Sequence, residues 1–335
     1  MPKVDAHSKS TFPTEDSPGR PDPRVISNSS MWQSERWNLA VKKVSAGDSF
    51  AGAIRLAWQL VRERRHYDAV YTVGVRQAQM YGLLCAIVGT GNKPHIAAEI
   101  LLDEVQPNRL AWKIKRTFRR AVSRNIARMI VFSDGERELY SRELHLPLER
   151  VVFVPFHTNI LESQLTSLGA YGFAAGRSLR DYETLFAAVE NLDFPFVVVA
   201  DSASVAHLCR PSNVELHCDI PRAQYLKLLE GARFVVVPLK ADYRSTGQVV
   251  VLEAESFGKP VVASDVVGTR DYLSHDVNGL LVAPGNPEAL RAAIQALMTD
   301  DAMCRRLAAA GIERVKKNHT FSVFAAKCLD IIAEA

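Results

Sequence analysis

The sequence predicts an α/β protein of two domains, each built on a parallel β-sheet with helices on both faces. Short apolar runs rich in valine alternate with segments of helical apolar spacing along most of the chain, and this alternation is typical of parallel strands connected by helices. The chain has 335 residues, of which 47% are hydrophobic. That length exceeds the usual size of one domain, and the composition suffices for two buried cores.

The first domain is expected over residues 31–160, after a tail, residues 1–30, whose content of Ser, Pro and Asp predicts disorder. In this half, continuous apolar runs predict strands, and apolar residues spaced three or four apart predict helices. The predicted strands are 24–27, 69–73, 95–100, 129–132 and 151–154, and the predicted helices are 48–65, 76–88, 108–127 and 136–143.

The predicted helix at residues 108–127 is strongly basic, with no acidic residue between Glu104 and Asp134. It is either a core-packed helix with a solvated basic face or, through residues 113–128, a face held against anionic lipid headgroups. Nucleic-acid binding is disfavoured because no aromatic platform interleaves the basic residues and the net charge is only +4. Its apolar residues recur every four positions: Leu110, Ile114, Phe118, Val122 and Ile126.

The remaining composition points to a cytoplasmic protein without a metal site. The five cysteines form no C-x-x-C pair, and the sequence has no D-x-D triplet or H-x-x-x-H pair, so reduced, mostly buried thiols are expected. No apolar run approaches the ~20 residues of a membrane-spanning helix, and the start of the chain lacks a signal-peptide pattern. The basic helix adds the alternative of peripheral attachment at the inner face of a membrane.

The second domain is expected over residues 166–320, after a connection at 156–168. The same patterns apply, with Asp181 placed to cap the first helix. The predicted strands before the central stretch are 170–175, 194–200, 214–217 and 234–238, and the predicted helices around it are 181–189, 221–229, 286–298 and 301–317.

The stretch from Gly247 to Gly285 holds the most specific chemistry. Gly247 opens a predicted helix whose free N–H groups can face an anion. Glu253 lies inside that helix among apolar neighbours, where a carboxylate is costly without a partner. Together they indicate a site for an anionic ligand that also presents hydroxyl groups, and a nucleotide sugar fits.

The motifs of this stretch resemble the donor-binding segment of retaining GT-B-fold glycosyltransferases of the group 1, family 4-like kind. The resemblance covers roughly residues 170–330 well and the first 165 residues loosely. The matching segments are Gly247, Glu253-Ala254, Gly258-Lys259-Pro260-Val261-Val262, Ala263-Ser264-Asp265, Gly268, Asn278-Gly279-Leu280 and Pro284-Gly285.

The resemblance implies GT-B architecture, in which two Rossmann-like doubly wound domains face each other across a cleft. It implies that a final helix, residues 321–335, crosses back to the first domain. It also implies that a sugar moves from a nucleotide-diphosphate sugar to a hydroxyl acceptor with retention of anomeric configuration. No metal or other cofactor is implied, because helix N-termini and cations stabilise the leaving diphosphate.

Several residues match the family's donor site. Gly176 and Arg177 resemble a Gly-Arg pair that grips the diphosphate, and Arg180 is the candidate substitute for a following lysine. An ordinary surface ion pair is the alternative for Arg177. Glu253 matches the second of two paired glutamates, with the implied role of accepting hydrogen bonds from ribose hydroxyls, and His217 is a candidate for flanking the nucleobase.

The sequence departs from the family at the entrance to the helix. Ser245, eight residues before Glu253, stands where the family has a first glutamate that contacts the transferred sugar. Ser245, Thr246 and Gln248 are the candidates for making that contact. The backbone N–H groups of Gly247 and Gln248 would still face the diphosphate.

In the first domain, acidic residues lie at the end of the predicted strand 95–100. Glu99, with Asp103 and Glu104 after it, is expected at the carboxyl edge where open α/β sheets bind ligands. Orienting an acceptor hydroxyl and forming a solvated acidic loop are equally open interpretations.

Two rivals to sugar transfer also stay open. A nucleotide-sugar epimerase or hydrolase would keep the fold and change the chemistry. A catalytically weak scaffold subunit would agree with the missing first glutamate and with the lack of a clear Gly-rich loop after the first strand.

Overall fold

The computed structural model describes residues 21–29, 34–45, 47, 49–100, 102 and 110–335. These residues form two parallel sheets of six strands each, one in each half of the chain. The predicted α/β class with two sheets is therefore confirmed. Disorder was predicted for residues 1–30, but Val25–Ser27 form a buried strand inside the first sheet, as the predicted strand 24–27 had indicated, so the first half begins before residue 31; residues 1–20 and 30 lie outside the described residues.

The described residues of the first half form a sheet with helices along the chain. The elements are β1 (Val25–Ser27), α1 (Glu35–Ala40), β2 (Val41–Lys43), α2 (Phe50–Glu63), β3 (Ala69–Val73), α3 (Val75–Val88), β4 (His95–Ala98), α4 (Leu110–Ser123), β5 (Ile126–Val131), α5 (Arg137–Leu144) and β6 (Val151–Phe153). The strand order in the sheet is β2-β1-β3-β4-β5-β6. A single 3₁₀ turn, Asp134–Glu136, joins β5 to α5.

The second half holds a sheet whose central strands are buried along their whole length, as expected of a parallel sheet covered on both faces. Its elements are β7 (Gly172–Ala175), α6 (Tyr182–Val189), β8 (Phe196–Ala200), α7 (Ser202–Val205), β9 (Val214–Cys218), α8 (Arg222–Glu230), β10 (Phe234–Val237), α9 (Gln248–Ser256), β11 (Val261–Ser264), α10 (Val267–Arg270), β12 (Leu280–Val282), α11 (Pro287–Thr299) and α12 (Asp301–Asn318). The strand order is β12-β11-β10-β7-β8-β9.

The last helix, α13 (Phe321–Ala333), packs on the sheet of the first half. Phe324, Cys328 and Leu329 are buried together with Ile96 and Ile130 of that sheet, because residues four apart share one helix face. The chain therefore passes between the two halves twice.

The sequence-based prediction was wrong for the end of the basic helix. Helix α4 ends at Ser123, and Ile126 begins β5, because the apolar run from Ile126 to Val131 fills the sheet between β4 and β6. Four short elements were not predicted: α1, β2, α7 and α10.

The core-packed interpretation of α4 requires its apolar stripe to face the core, but most of that stripe is exposed. Leu110, Ile114 and Phe118 are exposed by 73%, 62% and 39%. Of the stripe residues on α4 only Val122 is buried, and Trp112, which lies outside the stripe, is buried as well. The helix therefore packs by a neighbouring face and presents most of its apolar stripe to the outside.

The halves meet at residues 271 and 272, directly after α10. The Tyr272 hydroxyl donates to the Phe132 carbonyl at 2.6 Å and accepts from the Phe156 N–H at 2.9 Å. Asp271 Oδ2 accepts from the Ser133 hydroxyl at 2.5 Å and from the Asp134 N–H at 3.0 Å. These bonds fix the end of β5 against the second half.

Within the described ranges, every helix is too short or too polar to cross a lipid bilayer. All five cysteines are free thiols, and Cys85, Cys304 and Cys328 are buried while Cys209 and Cys218 are exposed.

We expect Tyr272→Phe to lower the free energy of unfolding by about 1–3 kcal/mol, because it leaves the buried Phe156 N–H without its acceptor. Urea denaturation followed by circular dichroism measures the change. Tyr243→Phe, at an exposed tyrosine, is the matched control and should stay within about 0.5 kcal/mol of the parent chain. Equal losses in both variants would contradict a structural role for the Tyr272 hydroxyl.

Candidate functional site

Helix α9 begins at the carboxyl edge of the second sheet, in the loop region after β10. Gly247 caps it with a φ of +92°, in the left-handed region that favours glycine. A Cβ atom at Gly247 would lie 2.9 Å from Leu239 and 3.1 Å from Val237, so packing also requires glycine. The free N–H groups of the first turn make this helix start attractive to an anion.

Glu253 lies inside α9 with a side chain that is 1% exposed. Arg222 of α8 pairs with both carboxylate oxygens, with 3.1 Å between Nη1 and Oε2. The Tyr225 hydroxyl donates to Oε2 at 2.8 Å. The partner that a buried carboxylate requires is thus supplied by α8, in two residues that share one face of that helix.

The loop after β7 places two arginines differently. Arg180 donates from Nε to the Ala175 carbonyl at 2.7 Å and from Nη1 to the Ser178 carbonyl at 3.0 Å, and burial lowers the pKa of its guanidinium. It lies against Gly176, whose φ is +128° and where a Cβ would overlap the guanidinium. Arg180 therefore orders the loop.

Arg177 is the more accessible cation of this loop, with a side chain that is 73% exposed. Its Nη2 lies 3.6 Å from Asp219 Oδ1, beyond the end of β9. An exposed ion pair of this kind is weak, so an anionic ligand can compete for the guanidinium.

His217 lies on the edge strand β9, with Nε2 at 2.8 Å from Glu215 Oε1. Glu99 follows β4 with a φ of +55°, and burial raises the pKa of its carboxyl. Within the described part of the chain, neither side chain bonds to Glu253 or Ser245. Asp103 and Glu104 lie outside the described residues.

Ser245 lies in the loop that leads into α9, and its backbone N–H donates to Glu136 Oε1 of the first half at 2.5 Å. The Ser245 hydroxyl and Gln248 Oε1 are buried and have no hydrogen-bond partner among the described residues. The backbone of Ser245 and Thr246 lies so close to Gly268 that a Cβ there would overlap it.

The candidate residues of the second half come from the carboxyl ends of β7, β9 and β10, which lie at one edge of its parallel sheet, whereas Glu99 follows β4 of the first sheet. Sequence reasoning missed Arg222, Tyr225 and Glu136. Arg222 and Tyr225 lie three residues apart on a predicted helix, but this spacing is common and does not by itself indicate a binding site. Glu136 comes soon after a predicted strand, and Glu99 lies near the end of another, so position along the chain did not single out Glu136. In the described ranges, no group of three or more His, Cys, Asp or Glu side chains is arranged to hold a metal ion.

Comparison with known sequences finds one segment that matches a family model. Residues 179–300 match the model of the glycosyl transferases group 1 family. The D-inositol 3-phosphate glycosyltransferase of Xylanimonas cellulosilytica is 33% identical over 138 residues, which are 41% of this chain and 32% of that protein. The phosphatidyl-myo-inositol mannosyltransferase of Mycobacterium leprae is 37% identical over 83 residues, 25% of this chain and 22% of that protein. The matched segments thus span a third or less of these relatives.

Comparison with solved structures covers nearly the whole chain. Sucrose-phosphate synthase from Thermosynechococcus elongatus matches with a TM-score of 0.68 and 20% identity, over 88% of this chain and 82% of that one. Anabaena HepE, solved in complex with UDP-glucose, matches with a TM-score of 0.66 and 15% identity, over 93% and 99%. The predicted GT-B fold of two Rossmann-like domains is confirmed.

We expect Arg222→Met to lower the free energy of unfolding by about 2–3 kcal/mol, because it leaves the buried Glu253 carboxylate without its cation. The double variant Arg222→Met/Glu253→Gln should recover much of that loss, since no charge then stays buried. Urea denaturation of Arg222→Met, Glu253→Gln and the double variant measures the coupling. Strictly additive losses would contradict a direct pair, and Arg305→Met, at an exposed ion pair, is the control.

Proposed function

We propose that this chain is a glycosyltransferase that moves a sugar from a nucleotide-diphosphate sugar to a hydroxyl acceptor with retention of anomeric configuration. The observation that carries the proposal is helix α9, which combines an open N-terminus with a buried, oriented carboxylate at Glu253. This pairing suits a ligand with an anionic centre and adjacent hydroxyl groups, and it lies inside the segment that matches the group 1 family.

In this scheme the nucleotide binds the second domain. The first N–H groups of α9 and the Arg177 guanidinium hold the diphosphate. Glu253 accepts a hydrogen bond from the ribose at Oε1, which retains a lone pair beside its bond to Arg222, whereas Oε2 already accepts from both Arg222 and Tyr225. His217, on β9, is the proposed neighbour of the nucleobase. Because HepE was solved with UDP and with UDP-glucose, uridine nucleotides are the first donors to test.

The chemistry proposed is displacement on one face of the sugar. As the glycosidic bond to the diphosphate breaks, the α9 N-terminus and Arg177 stabilise the charge that develops on the leaving group. A diphosphate oxygen accepts the proton of the attacking hydroxyl, which enters from the same face and so retains the configuration. Glu99, at the facing edge of the first domain, orients the acceptor, and the positive charge comes from the protein without a metal ion.

We expect Glu253→Gln and Arg177→Met each to lower kcat/KM for transfer by at least tenfold, because each removes a charged hydrogen-bonding group worth about 1.5–3 kcal/mol. Transfer is measured with UDP-glucose, UDP-N-acetylglucosamine and GDP-mannose against a panel of glycan, lipid-linked and small hydroxyl acceptors. The anomeric configuration of the product is read by NMR. Glu183→Gln, at an exposed position of α6, is the control and should leave transfer unchanged.

Product analysis separates the rivals. If free sugar forms equally well without an acceptor, the reaction is hydrolysis. If an epimerised nucleotide sugar forms equally well without an acceptor, the reaction is epimerisation. A chain that binds none of these donors in calorimetry would be a scaffold subunit, and the proposal would then be wrong.

We also propose that the first domain attaches to anionic lipid through α4 and the helices beside it. Exposed Leu110 and Ile114 stand next to exposed Lys113 and Lys115 on α4. Trp58 of α2 is 55% exposed and Ile87 of α3 is 72% exposed. Apolar side chains framed by cations suit the boundary between headgroups and acyl chains.

This attachment would bring the protein to the cytoplasmic face of a membrane and favour a lipid-linked acceptor. One relative, the mannosyltransferase of M. leprae, carries phosphatidyl-myo-inositol in its name. Since α4 ends at Ser123, the proposed surface is shorter than the sequence-based range 113–128, and Arg128 lies on β5 with Nη2 directed to the Glu334 carbonyl.

We expect Lys113→Glu/Lys115→Glu and, separately, Ile114→Ser to reduce flotation with vesicles that contain phosphatidylglycerol, because they remove the electrostatic and the apolar contribution respectively. The parent chain should float with these vesicles and not with pure phosphatidylcholine. Lys316→Glu/Lys317→Glu, at exposed positions of α12, changes the net charge equally and should float like the parent. Loss of flotation in both charge variants would show that net charge alone is responsible.

A further inference from the structure

The carboxyl of Glu136, in the first domain, contacts the loop of the second domain that leads into α9 and contains Ser245, here called the donor loop. Glu136 lies in the 3₁₀ turn after β5, at the carboxyl edge of the first sheet, and is 5% exposed. Its Oε1 accepts the Ser245 N–H at 2.5 Å. The first domain therefore supplies a buried carboxyl to the loop that leads into α9.

The turn that carries Glu136 is held in place independently. Ser133 Oγ donates to the Val267 carbonyl at 3.0 Å and to Asp271 Oδ2 at 2.5 Å, and Asp134 N donates to the same Asp271 oxygen at 3.0 Å. The backbone of the turn that carries Glu136 is thus held to the second half by bonds other than the one from Glu136 to Ser245.

The donor loop has hydrogen-bonding groups that the protein does not use. The Ser245 hydroxyl belongs to a residue that is 9% exposed, and it has no partner among the described residues. Gln248 is half-buried, and its Oε1 atom is buried and likewise without a partner there. Buried polar groups are nearly always hydrogen-bonded. Ser245 is bonded through its backbone to the Glu136 carboxyl, and Gln248 follows three residues later. A hydroxyl, an amide and a carboxyl on neighbouring segments can together bind the hydroxyl groups of a ligand.

The protonation of Glu136 fits that ligand chemistry. Burial raises the pKa of its carboxyl to about 7, with a smaller contribution from Asp271, while the Ser245 N–H and Arg244 oppose the rise. A carboxyl that keeps its proton close to neutral pH both donates and accepts a hydrogen bond. A sugar hydroxyl does the same.

The position along α9 decides which part of a donor reaches this set. Glu253 is six residues inside the helix from Gly247, about 9 Å at 1.5 Å per residue, whereas Ser245 lies two residues before Gly247. A ligand with its ribose at Glu253 and its phosphates at the helix start extends its sugar past the phosphates, toward Ser245.

We propose that Glu136, with the Ser245 hydroxyl and the Gln248 amide, binds hydroxyl groups of the transferred sugar, so that the two domains share the sugar half of the donor site. This inference rests on the proposed function. Glu136 is then a specificity-determining residue that the first domain contributes to a site otherwise built by the second.

The test compares each nucleoside diphosphate with its own nucleotide sugar by calorimetry: UDP with UDP-glucose and UDP-N-acetylglucosamine, and GDP with GDP-mannose. The pair that the parent chain binds most tightly is then used for Glu136→Ala, Glu136→Gln and Ser245→Ala. Glu138→Ala, at an exposed position of α5, is the matched control. Thermal unfolding of each variant checks that the fold is intact.

We expect Glu136→Ala to leave the Kd for the diphosphate within about twofold and to weaken the nucleotide sugar at least about tenfold, as the loss of a buried charged or protonated hydrogen-bond partner does. Ser245→Ala should weaken the nucleotide sugar selectively as well. Glu136→Gln, whose amide can still donate and accept, should bind the sugar within about threefold of the parent.

Equal weakening of diphosphate and nucleotide sugar would show that Glu136 only supports the loop, and no change in either would show that it does not touch the sugar. Both results overturn the inference while leaving sugar transfer intact. Failure of the parent chain to bind any of the pairs would instead remove the proposed function, and the inference with it.

Discussion

Asp271 and Tyr272, directly after α10, hold the two halves of the chain together, and the arrangement of the cleft depends on them. Tyr272 joins the Phe132 carbonyl to the Phe156 N–H, and Asp271 bonds to the turn after β5. Because four hydrogen bonds join these two residues to Phe132, Ser133, Asp134 and Phe156, little freedom remains at this point. The carboxyl edges of the two sheets are thereby kept facing each other, and residues from both can reach one ligand.

Within that frame, burial decides what each charged group does. Glu253 is fully buried, so Arg222 and Tyr225 must satisfy it, and their bonds also fix its orientation. Arg180 gives its donors to loop carbonyls and has become part of the scaffold. Arg177, which is exposed, has only a weak ion pair with Asp219, which an anion can displace.

The parts that could be predicted from sequence are those determined by local pattern. The valine-rich strand β11, the cap at Asp181 and the glycine start of α9 each follow from neighbouring residues, and so does the parallel α/β class. The sequence could not predict which face of α4 is buried. Apolar spacing marks a stripe on the helix, but packing against α3 and α5 determines whether that stripe faces the core or the outside. The possible role of Glu136 was missed because it depends on a contact with Ser245, which is distant in sequence.

The return of α13 to the first domain has a consequence for how the protein forms. Phe324, Cys328 and Leu329 complete the core around Ile96 and Ile130, so this core stays open while the whole second domain is being synthesised. Domains usually fold in order as they leave the ribosome, but here one face of the first sheet stays uncovered until the last helix is made, while the clusters on its other side form from the first half alone. That uncovered face is the part of the nascent chain that a chaperone would be most useful in covering.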